Sequence, residues 1–331
     1  MADGRRAART SRARAATYMG GRVQLTRYAT GSEWSLGVVV DASGTVMSLA
    51  AGLTRLRQRG RLNGLTQSFI DLIAADGRAL LSSWPGVRAA IELATDLDDG
   101  SALVGTLDSL AVGPFVPGPE KVLGVSYNYR KLAAEEGIER AAEPVIFAKA
   151  PSSITGPFDD IRVPDRVSNV DFEAEVGVVI GAVTRNAEPS AARSCIGGFT
   201  VVNDMTAKIL PRPAIDLATI TVNLKAIDNF APVGAVVVTP DEVGDLSEVS
   251  VRCRVNGEQR QNFPATDWIH TPAEVVSYLS GFMTLQPGDI VSMGTSSGIG
   301  VAEMPPRLLG SGDIVEVELS GYPGTRNRLL F

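Results

Sequence analysis

The sequence predicts an α+β protein that is mainly β, with a small α+β domain over residues 19–115 and a larger β-rich domain over residues 116–331. Beyond residue 120, Gly, Pro and Asp divide the chain into short apolar segments, few of which have helical spacing. Many strands with few helices favour a mixed β-roll or barrel over the strand–helix alternation of a doubly wound sheet. Three prolines fall within residues 112–119. Neither a helix nor a central strand can cross such a segment, so it marks the predicted domain boundary.

The composition excludes several classes of function. Of the 331 residues, 44% are hydrophobic and 21% charged, and the net charge is −6. Such an acidic globular chain is expected to bind no nucleic acid, and it lacks an apolar run long enough to cross a membrane. Cys195 and Cys253 are far apart, which indicates reduced thiols in a cytoplasmic protein. The single histidine, His270, excludes a multi-histidine zinc site and leaves little room for a Ser-His-Asp triad.

The first segment, residues 1–18, is predicted to be a disordered basic tail because it is rich in arginine and poor in hydrophobic residues. Its arginines are Arg5, Arg6, Arg9, Arg12 and Arg14. An organelle transit peptide has a similar composition. We favour an upstream extension, since Met19 precedes a segment that could begin the first strand.

The small domain is predicted to begin with a hairpin and continue with helices. Strands are expected at 23–28 and 34–40, with the turn at Gly31 and Ser32. Apolar spacing predicts helices at 50–58, 65–75 and 87–97.

The larger domain is predicted to contain eight strands and two helices. The strands are expected at 122–126, 145–149, 175–180, 199–203, 234–238, 249–255, 289–293 and 314–319. The helices are expected at 129–136 and 272–282.

The apolar stretch 170–181 carries carboxylates at alternate positions, Asp171, Glu173 and Glu175. Alternate residues of a strand point to one face, so Glu173 and Glu175 should lie side by side, where they repel each other unless a cation lies between them. Asp204 ends a later predicted strand and could join them. Three carboxylates suit Mg²⁺, Mn²⁺ or Ca²⁺ and are wrong for zinc. Taken alone, the pattern also fits a strand end exposed to solvent.

The glycine-rich segment 293–300 resembles the dinucleotide-binding turn of short-chain dehydrogenases. That turn works by presenting the N-terminal amides of a following helix to a pyrophosphate. Here Pro305 and Pro306 prevent a helix, and the chain ends at Phe331, too soon for the rest of such a fold. An oxidoreductase is therefore disfavoured.

Read together, a series of segments resembles the fumarylacetoacetate hydrolase superfamily from about residue 120 to the end. The segments are 126–135, 147–153, 171–175, 203–208, 225–232, 255–261, 285–290, 294–300 and 312–313. No single segment is specific, but their order and spacing are.

The resemblance implies a β-roll catalytic domain, a homodimer, and Mg²⁺ or Mn²⁺ bound by Glu173, Glu175 and Asp204. It implies a small-molecule substrate, a 2-oxo or 1,3-dicarbonyl acid, whose developing enolate charge the metal stabilises. Lys225 matches the family's lysine near the metal and would orient substrate oxygens or move a proton. The implied substrate-binding residues are Lys149, Gly294, Thr295 and Gln261.

The chain departs from the family at the position of its water-activating histidine. The family pattern Asn-Tyr-x-x-His-x-x-Glu is present as Asn128, Tyr129 and Glu135, but Leu132 replaces the histidine. His270 is interpreted as structural, and Glu135, the implied catalytic carboxylate, has no imidazole to polarise. Smaller departures are Ser296 for a usual proline and Lys208 for a usual arginine.

These residues predict a metal-dependent enzyme that cleaves C–C bonds as fumarylacetoacetate and acylpyruvate hydrolases do. Because of Leu132, isomerisation, tautomerisation or hydration of the same substrate class is the alternative. A pseudoenzyme that binds a ligand without turnover is a further alternative. Retention of the clustered carboxylates disfavours it, because they cost stability without a purpose.

Overall fold

A computed structural model describes residues 23–62, 64–139, 141–208 and 222–331. The predicted basic tail, residues 1–18, lies outside the described residues. Within them, no helix has the length and apolarity needed to cross a membrane.

The first part of the chain forms a hairpin, further strands and four helices. In order, these are β1 (Gln24–Thr30), β2 (Glu33–Val39), β3 (Thr45–Ser48), α1 (Leu49–Gln58), α2 (Gln67–Ala75), α3 (Gly77–Ser82), α4 (Trp84–Asp96), β4 (Leu103–Thr106) and β5 (Ala111–Gly113). Ser48 begins α1 by accepting a hydrogen bond from the Ala51 amide, which satisfies one of the free donors of the first turn. Leu49, Leu53 and Leu56 are buried and form an apolar stripe that holds the helix on the sheet.

The second part is dominated by strands. They are β6 (Val122–Ser126), β7 (Val145–Lys149), β8 (Ile154–Thr155), β9 (Ile161–Arg162), β10 (Val170–Asp171), β11 (Ala174–Ile180), β12 (Ile196–Asn203), β13 (Thr206–Ala207), β14 (Ala231–Pro232), β15 (Val237–Val238), β16 (Ser250–Val255), β17 (Glu258–Pro264), β18 (Ile290–Ser292), β19 (Ile314–Leu319) and β20 (Thr325–Leu330). The helices are α5 (Arg130–Glu135), α6 (Pro189–Ser194), α7 (Val222–Lys225), α8 (Pro240–Val243) and α9 (Pro272–Phe282). Short 3₁₀ turns occupy Pro151–Ser153, Leu246–Glu248 and Gly300–Ala302.

The described strands pair into two main sheets. The larger has 11 strands in the order β4-β3-β2-β1-β15-β12-β11-β18-β6-β7, with β5 also paired to β1. The smaller has the order β17-β16-β19-β20-β9. Two-stranded pairs, β10-β13 and β8-β14, lie beside them. In the larger sheet β11 is central, between β12 and β18.

Two large apolar cores follow from this arrangement. The main core contains alternate residues of β11, namely Val176, Val178 and Ile180, with residues of β16 and β19. The second core lies under the helices α1–α4 and contains Val179, from the opposite face of β11, and Val237 of β15. Strand β11 is therefore covered on both faces, which is why it reads as a nearly continuous apolar run.

The predicted fold class is confirmed: the protein is mainly β, with helices in both parts. The predicted hairpin, helices and strands occur within a few residues of the expected positions, except that only Val237–Val238 of the expected strand 234–238 pairs. The apolar stretch 170–181, expected to carry Glu173 and Glu175 on one strand, is broken at Phe172 and Glu173, which separate β10 from β11. The division of the chain at residue 116 stays a prediction.

Candidate metal centre and active site

Three buried carboxylates meet where β11 begins and β12 ends. Glu173 immediately precedes β11, Glu175 is its second residue, and Asp204 follows β12. Antiparallel pairing sets Ala174 opposite Asn203, and the Asp204 amide donates to the Glu173 carbonyl oxygen at 2.8 Å. One carboxylate oxygen from each residue lies within 4.8 Å of the others. The structure thus brings together the three predicted metal ligands; that they bind a metal stays a prediction.

Three lysine side chains surround these carboxylates. The Lys225 ammonium donates to Glu173 Oε2 at 2.8 Å and to Asp204 Oδ2. The Lys149 ammonium donates to Asp204 Oδ1 at 2.7 Å, and the Lys208 ammonium donates to Glu173 Oε1 at 2.7 Å. Together the three ammoniums compensate the buried charges of Glu173 and Asp204.

The pKa values of the two glutamates are displaced in opposite directions. Burial raises the pKa of Glu173, but the ammoniums of Lys208 and Lys225 outweigh it and bring that pKa down to about 2. Burial and the nearby Asp204 carboxylate raise the pKa of Glu175 well above its ordinary value. Ser292 Oγ and the Gly294 amide donate to Glu175 Oε2 at 2.6 and 2.8 Å, which favours the ionised form against that trend.

The lysines respond to the same charges. Burial lowers the pKa of Lys225, but the carboxylates of Asp204 and Glu173 raise it above the usual lysine range. Burial lowers the pKa of Lys149, although Asp204 acts in the opposite direction.

The donor set fits a hard divalent cation. Three carboxylates offer only oxygen ligands, which Mg²⁺, Mn²⁺ and Ca²⁺ prefer. Each carboxylate oxygen can accept in two directions, so an oxygen that accepts a hydrogen bond from lysine keeps a second lone pair for a cation. The cluster is therefore suited to hold Mg²⁺ or Mn²⁺.

A pocket opens beside this cluster and is lined by charged, polar and apolar side chains. Its charged lining residues are Glu136, Glu173, Glu175, Lys208 and Lys225. The remaining lining residues are Val125, Ser126, Tyr127, Leu132, Phe147, Thr295 and Ile299. Lysine ammoniums together with apolar side chains suit a small acid that has a short apolar part.

The glycine-rich turn after β18 forms one wall of the pocket and is held to the backbone of Ala174 by side chains. Thr295 Oγ1 donates to the Ala174 carbonyl oxygen at 2.8 Å, and Gln261 Nε2 donates to Thr295 Oγ1 at 2.9 Å. Gln261 Oε1 accepts from the Ala174 amide at 3.0 Å. Gly294 has φ +88°, and a Cβ there would lie 2.7 Å from the Val125 carbonyl oxygen, so both backbone conformation and space require glycine.

Asp171 fixes the far end of the same turn. Its carboxylate accepts from the amides of Gly300 and Val301, each at 2.8 Å, and from the Phe172 amide at 3.0 Å. Asp171 is fully buried and does not line the pocket. It therefore connects the acidic strand to the turn that carries Ile299 into the pocket.

Several predicted substrate residues lie away from the pocket. Thr295 lines it, but Gln261 stands behind Thr295, and the Gly294 amide donates to Glu175. Lys149 is buried against Asp204 and the Met205 carbonyl oxygen. Their roles toward a substrate stay predictions.

Helix α5 places its acidic residues differently from the family pattern. Glu135 is exposed, whereas the next residue, Glu136, lines the pocket together with Leu132. Glu136 was not a predicted site residue, and Lys208 was noted only for its departure from the family. For Glu136 the available signal was its four-residue spacing from Leu132, which puts both on one face of a helix.

His270 is buried, and its backbone amide donates to Asn128 Oδ1 at 2.8 Å, outside the pocket.

Comparison with known proteins gives matches over most of the chain. Residues 121–330 match the family described as fumarylacetoacetate (FAA) hydrolase, C-terminal. The mitochondrial oxaloacetate tautomerase fahd2 of Xenopus laevis is 32% identical over 232 residues, 70% of this chain and 72% of that protein.

Two solved structures share the fold over nearly the whole chain. A fumarylacetoacetate hydrolase from Exiguobacterium antarcticum has a TM-score of 0.71 at 26% identity and covers 93% of this chain and 99% of its own. A probable 2-hydroxyhepta-2,4-diene-1,7-dioate isomerase from Mycobacterium abscessus has a TM-score of 0.70 at 27% identity and covers 94% and 98%. These similar proteins are named as enzymes. With the family match extending from β6 to β20, this chain belongs to the fumarylacetoacetate hydrolase family.

Proposed function

We propose that this protein is a Mg²⁺- or Mn²⁺-dependent enzyme that interconverts the keto and enol forms of a 2-oxo or 1,3-dicarbonyl acid. The observation that carries the proposal is the pocket itself. It joins the carboxylate and lysine cluster to Leu132, an apolar side chain at the family's water-activating position. The similarity to an oxaloacetate tautomerase and to a probable dienedioate isomerase supports the same reaction class.

The chain's own residues would perform distinct tasks. Glu173, Glu175 and Asp204 would hold the cation, which supplies positive charge beside the substrate oxygens on which negative charge develops. Lys225 and Lys208, both ammoniums at the pocket wall, would donate hydrogen bonds to substrate oxygens. Leu132, Phe147 and Ile299 would contact the carbon chain. Tautomerisation needs only a proton transfer, so it does not require the missing imidazole.

Hydrolytic C–C cleavage is the second candidate. The 26% identity to a fumarylacetoacetate hydrolase over 93% of this chain favours it. This reaction must activate a water molecule, and Leu132 offers no proton acceptor for that step. A cytoplasmic location, which the cysteines indicate, and a homodimer, which the family resemblance implies, also belong to the proposed function.

Metal binding is tested by the melting midpoint of the chelated protein with and without Mg²⁺ or Mn²⁺. At 100 times its dissociation constant, a cation that binds only the folded protein stabilises it by about 2.7 kcal/mol. We expect Glu173→Gln to abolish this increase. Asp289→Asn is the matched control, because Asp289 is also a buried carboxylate but pairs with Lys121 outside the cluster. An increase that survives Glu173→Gln would argue against the assigned cluster.

The reaction is tested with oxaloacetate and with an acylpyruvate. The enol absorbance is followed, and the products are identified by NMR. Tautomerisation moves the enol signal to its equilibrium value without new fragments, whereas hydrolysis releases two acids. A wild type that shows the metal response but changes neither substrate would support a binding protein without turnover.

A further inference from the structure

We propose that Glu136 is the catalytic residue that takes a proton from the substrate carbon and returns it to the substrate oxygen. This inference rests on the proposed tautomerisation. It assigns the proton transfer to a residue outside the family's His-x-x-Glu pattern, which in this chain ends at Glu135.

The position of Glu136 follows from the geometry of α5. Glu136 caps the helix, and its amide donates to the Leu132 carbonyl oxygen at 3.0 Å. Residues four apart share one face of a helix, and Leu132 and Glu136 both line the pocket. Glu135 is exposed. The acidic side chain that reaches the pocket is thus displaced by one residue along the helix.

The other carboxylates that line the pocket belong to the three-carboxylate cluster. Glu173 accepts hydrogen bonds from Lys208 and Lys225, and Glu175 accepts from Ser292 and the Gly294 amide. Among the pocket-lining residues that the structure describes, Glu136 is the carboxylate outside this cluster. Substitution of Glu136 therefore leaves the three clustered carboxylates in place.

The proton transfer balances without a further reactant. A Glu136 oxygen takes a proton from the carbon next to the substrate carbonyl. The C–H electron pair becomes the C=C double bond, and the carbonyl π pair moves to the oxygen. The Glu136 carboxyl then gives the same proton to that oxygen, which completes the enol, and the reverse sequence restores the keto form. Carboxylates commonly serve as general bases in such transfers.

Leu132 complements this role. Leu132 is 5% exposed and lines the pocket with an apolar side chain. It provides neither a proton donor nor an acceptor beside Glu136. The carboxylate therefore has a substrate C–H bond rather than an imidazole-activated water molecule as its reaction partner.

The test compares Glu136→Gln with the wild type in the presence of Mg²⁺. The readouts are the rate of oxaloacetate tautomerisation and the exchange of its C3 hydrogens with D₂O, observed by NMR. Loss of a general base lowers kcat by roughly 10²–10⁴-fold, and we expect KM to change little. The Mg²⁺-induced rise of the melting midpoint should persist, because the cluster is intact. Glu136→Asp should retain part of the tautomerisation rate, and this rate should still fall at low pH as in the wild type. A purely structural role of Glu136 would not produce this dependence on a carboxylate.

Glu139→Gln is the matched control, since Glu139 is an exposed glutamate just beyond the helix, and it should react at the wild-type rate. An unchanged kcat and unchanged C3 exchange in Glu136→Gln, with an active wild type, would overturn this assignment alone. A loss of rate in Glu135→Gln but not in Glu136→Gln would also overturn it, in favour of the family position. A wild type that is inactive despite its metal response would overturn the proposed function as well.

Discussion

Lys149 and Asp204 show how this site keeps charges in the protein interior. Both side chains have 0% exposure, and the two groups are 2.7 Å apart. Removing two opposite charges from water costs more than their attraction returns unless further hydrogen bonds satisfy them. The Met205 carbonyl oxygen and Lys225 supply such contacts. The pair is therefore stable as a unit but sensitive to the loss of one member.

Lys149→Met tests this sensitivity. It leaves Asp204 with one ammonium fewer in the interior, and we expect the free energy of unfolding of the chelated protein to fall by roughly 3–5 kcal/mol. Urea denaturation measures the change. Lys121→Met is the control, because Lys121 pairs with buried Asp289 but is itself 23% exposed, and its smaller loss should reflect solvent screening. Equal losses would show that burial of the lysine does not determine the effect.

Leu132→His tests why hydrolysis is disfavoured. An imidazole placed in the pocket near Glu136 can polarise a water molecule, as the family's histidine would. We expect the variant to gain C–C cleavage of an acylpyruvate, detected by NMR as two acid products. Leu132→Met conserves volume and should gain no cleavage. If Leu132→His folds, retains the metal response and still releases no fragments, the missing histidine is not what separates the two reactions.

The carboxylates of the site were predictable from sequence because they depend on local geometry. Alternation along a strand predicts Glu173 and Glu175 on one side; the structure brings them together although Glu173 lies just before β11, and the antiparallel neighbour β12 brings in Asp204. Lys225 could be named only through the family resemblance, because its ion pairs join distant segments. Glu136 was missed because the motif directs attention to Glu135, whereas the rotation of α5 on the roll decides which glutamate reaches the pocket.

At the scale of elements, the turn from Gly298 to Val301 depends on a single side chain from another strand. Asp171 of β10 accepts two of its amides. A Cβ on Gly300 would lie 2.3 Å from the Arg307 carbonyl oxygen and 2.7 Å from Asp171 Oδ1. The turn is therefore packed directly onto the acidic segment, which couples the pocket wall to the three-carboxylate cluster.

Asp171→Asn is expected to loosen this turn. An amide side chain has one accepting oxygen where the carboxylate uses two, so a backbone amide loses its partner, at a cost of roughly 1–3 kcal/mol. Hydrogen exchange measured by mass spectrometry should show faster exchange at residues 298–302, and KM should rise as Ile299 becomes less fixed. Asp313→Asn is the control, because Asp313 caps an exposed turn through the Gly310 amide. Unchanged exchange at 298–302 would remove Asp171 from this role.

Some elements were predictable from the sequence and others were not. Strands β6, β11 and β12 were predicted from their continuous apolar runs, which result from burial of both faces of the strand. Strands β17 and β20 escaped prediction because polar and charged residues alternate along them, as in Thr325–Leu330. Strand β17 pairs with the preceding β16, whereas β20 pairs with the preceding β19 and with the distant β9. The break between β10 and β11 was also missed. Phe172 and Glu173 lie in this break, and nothing in the local pattern marks it.

At the scale of the molecule, the two parts of the chain share one sheet. Strand β1 pairs with β15 through Gln24–Val238 and Leu25–Val237, and β15 pairs in turn with β12. Val179 and Val237 lie in the core beneath α1–α4. The helices of the first part therefore cover the face of β11 opposite the main core. The strand that carries Glu175 is held from both sides.

A chain of residues 116–331 alone should consequently be less stable than the whole protein. It would expose Val179 and Val237 and leave β15 without its β1 partner. Each fully exposed valine costs roughly 1.5–3 kcal/mol. We expect a lower melting midpoint, increased fluorescence of a dye that binds apolar surface, and weaker stabilisation by Mg²⁺, because β11 and β12 position the three carboxylates. Serine at both positions should restore part of the solubility without restoring the midpoint. A melting midpoint and metal response equal to those of the whole protein would instead show that residue 116 separates two independently folding domains.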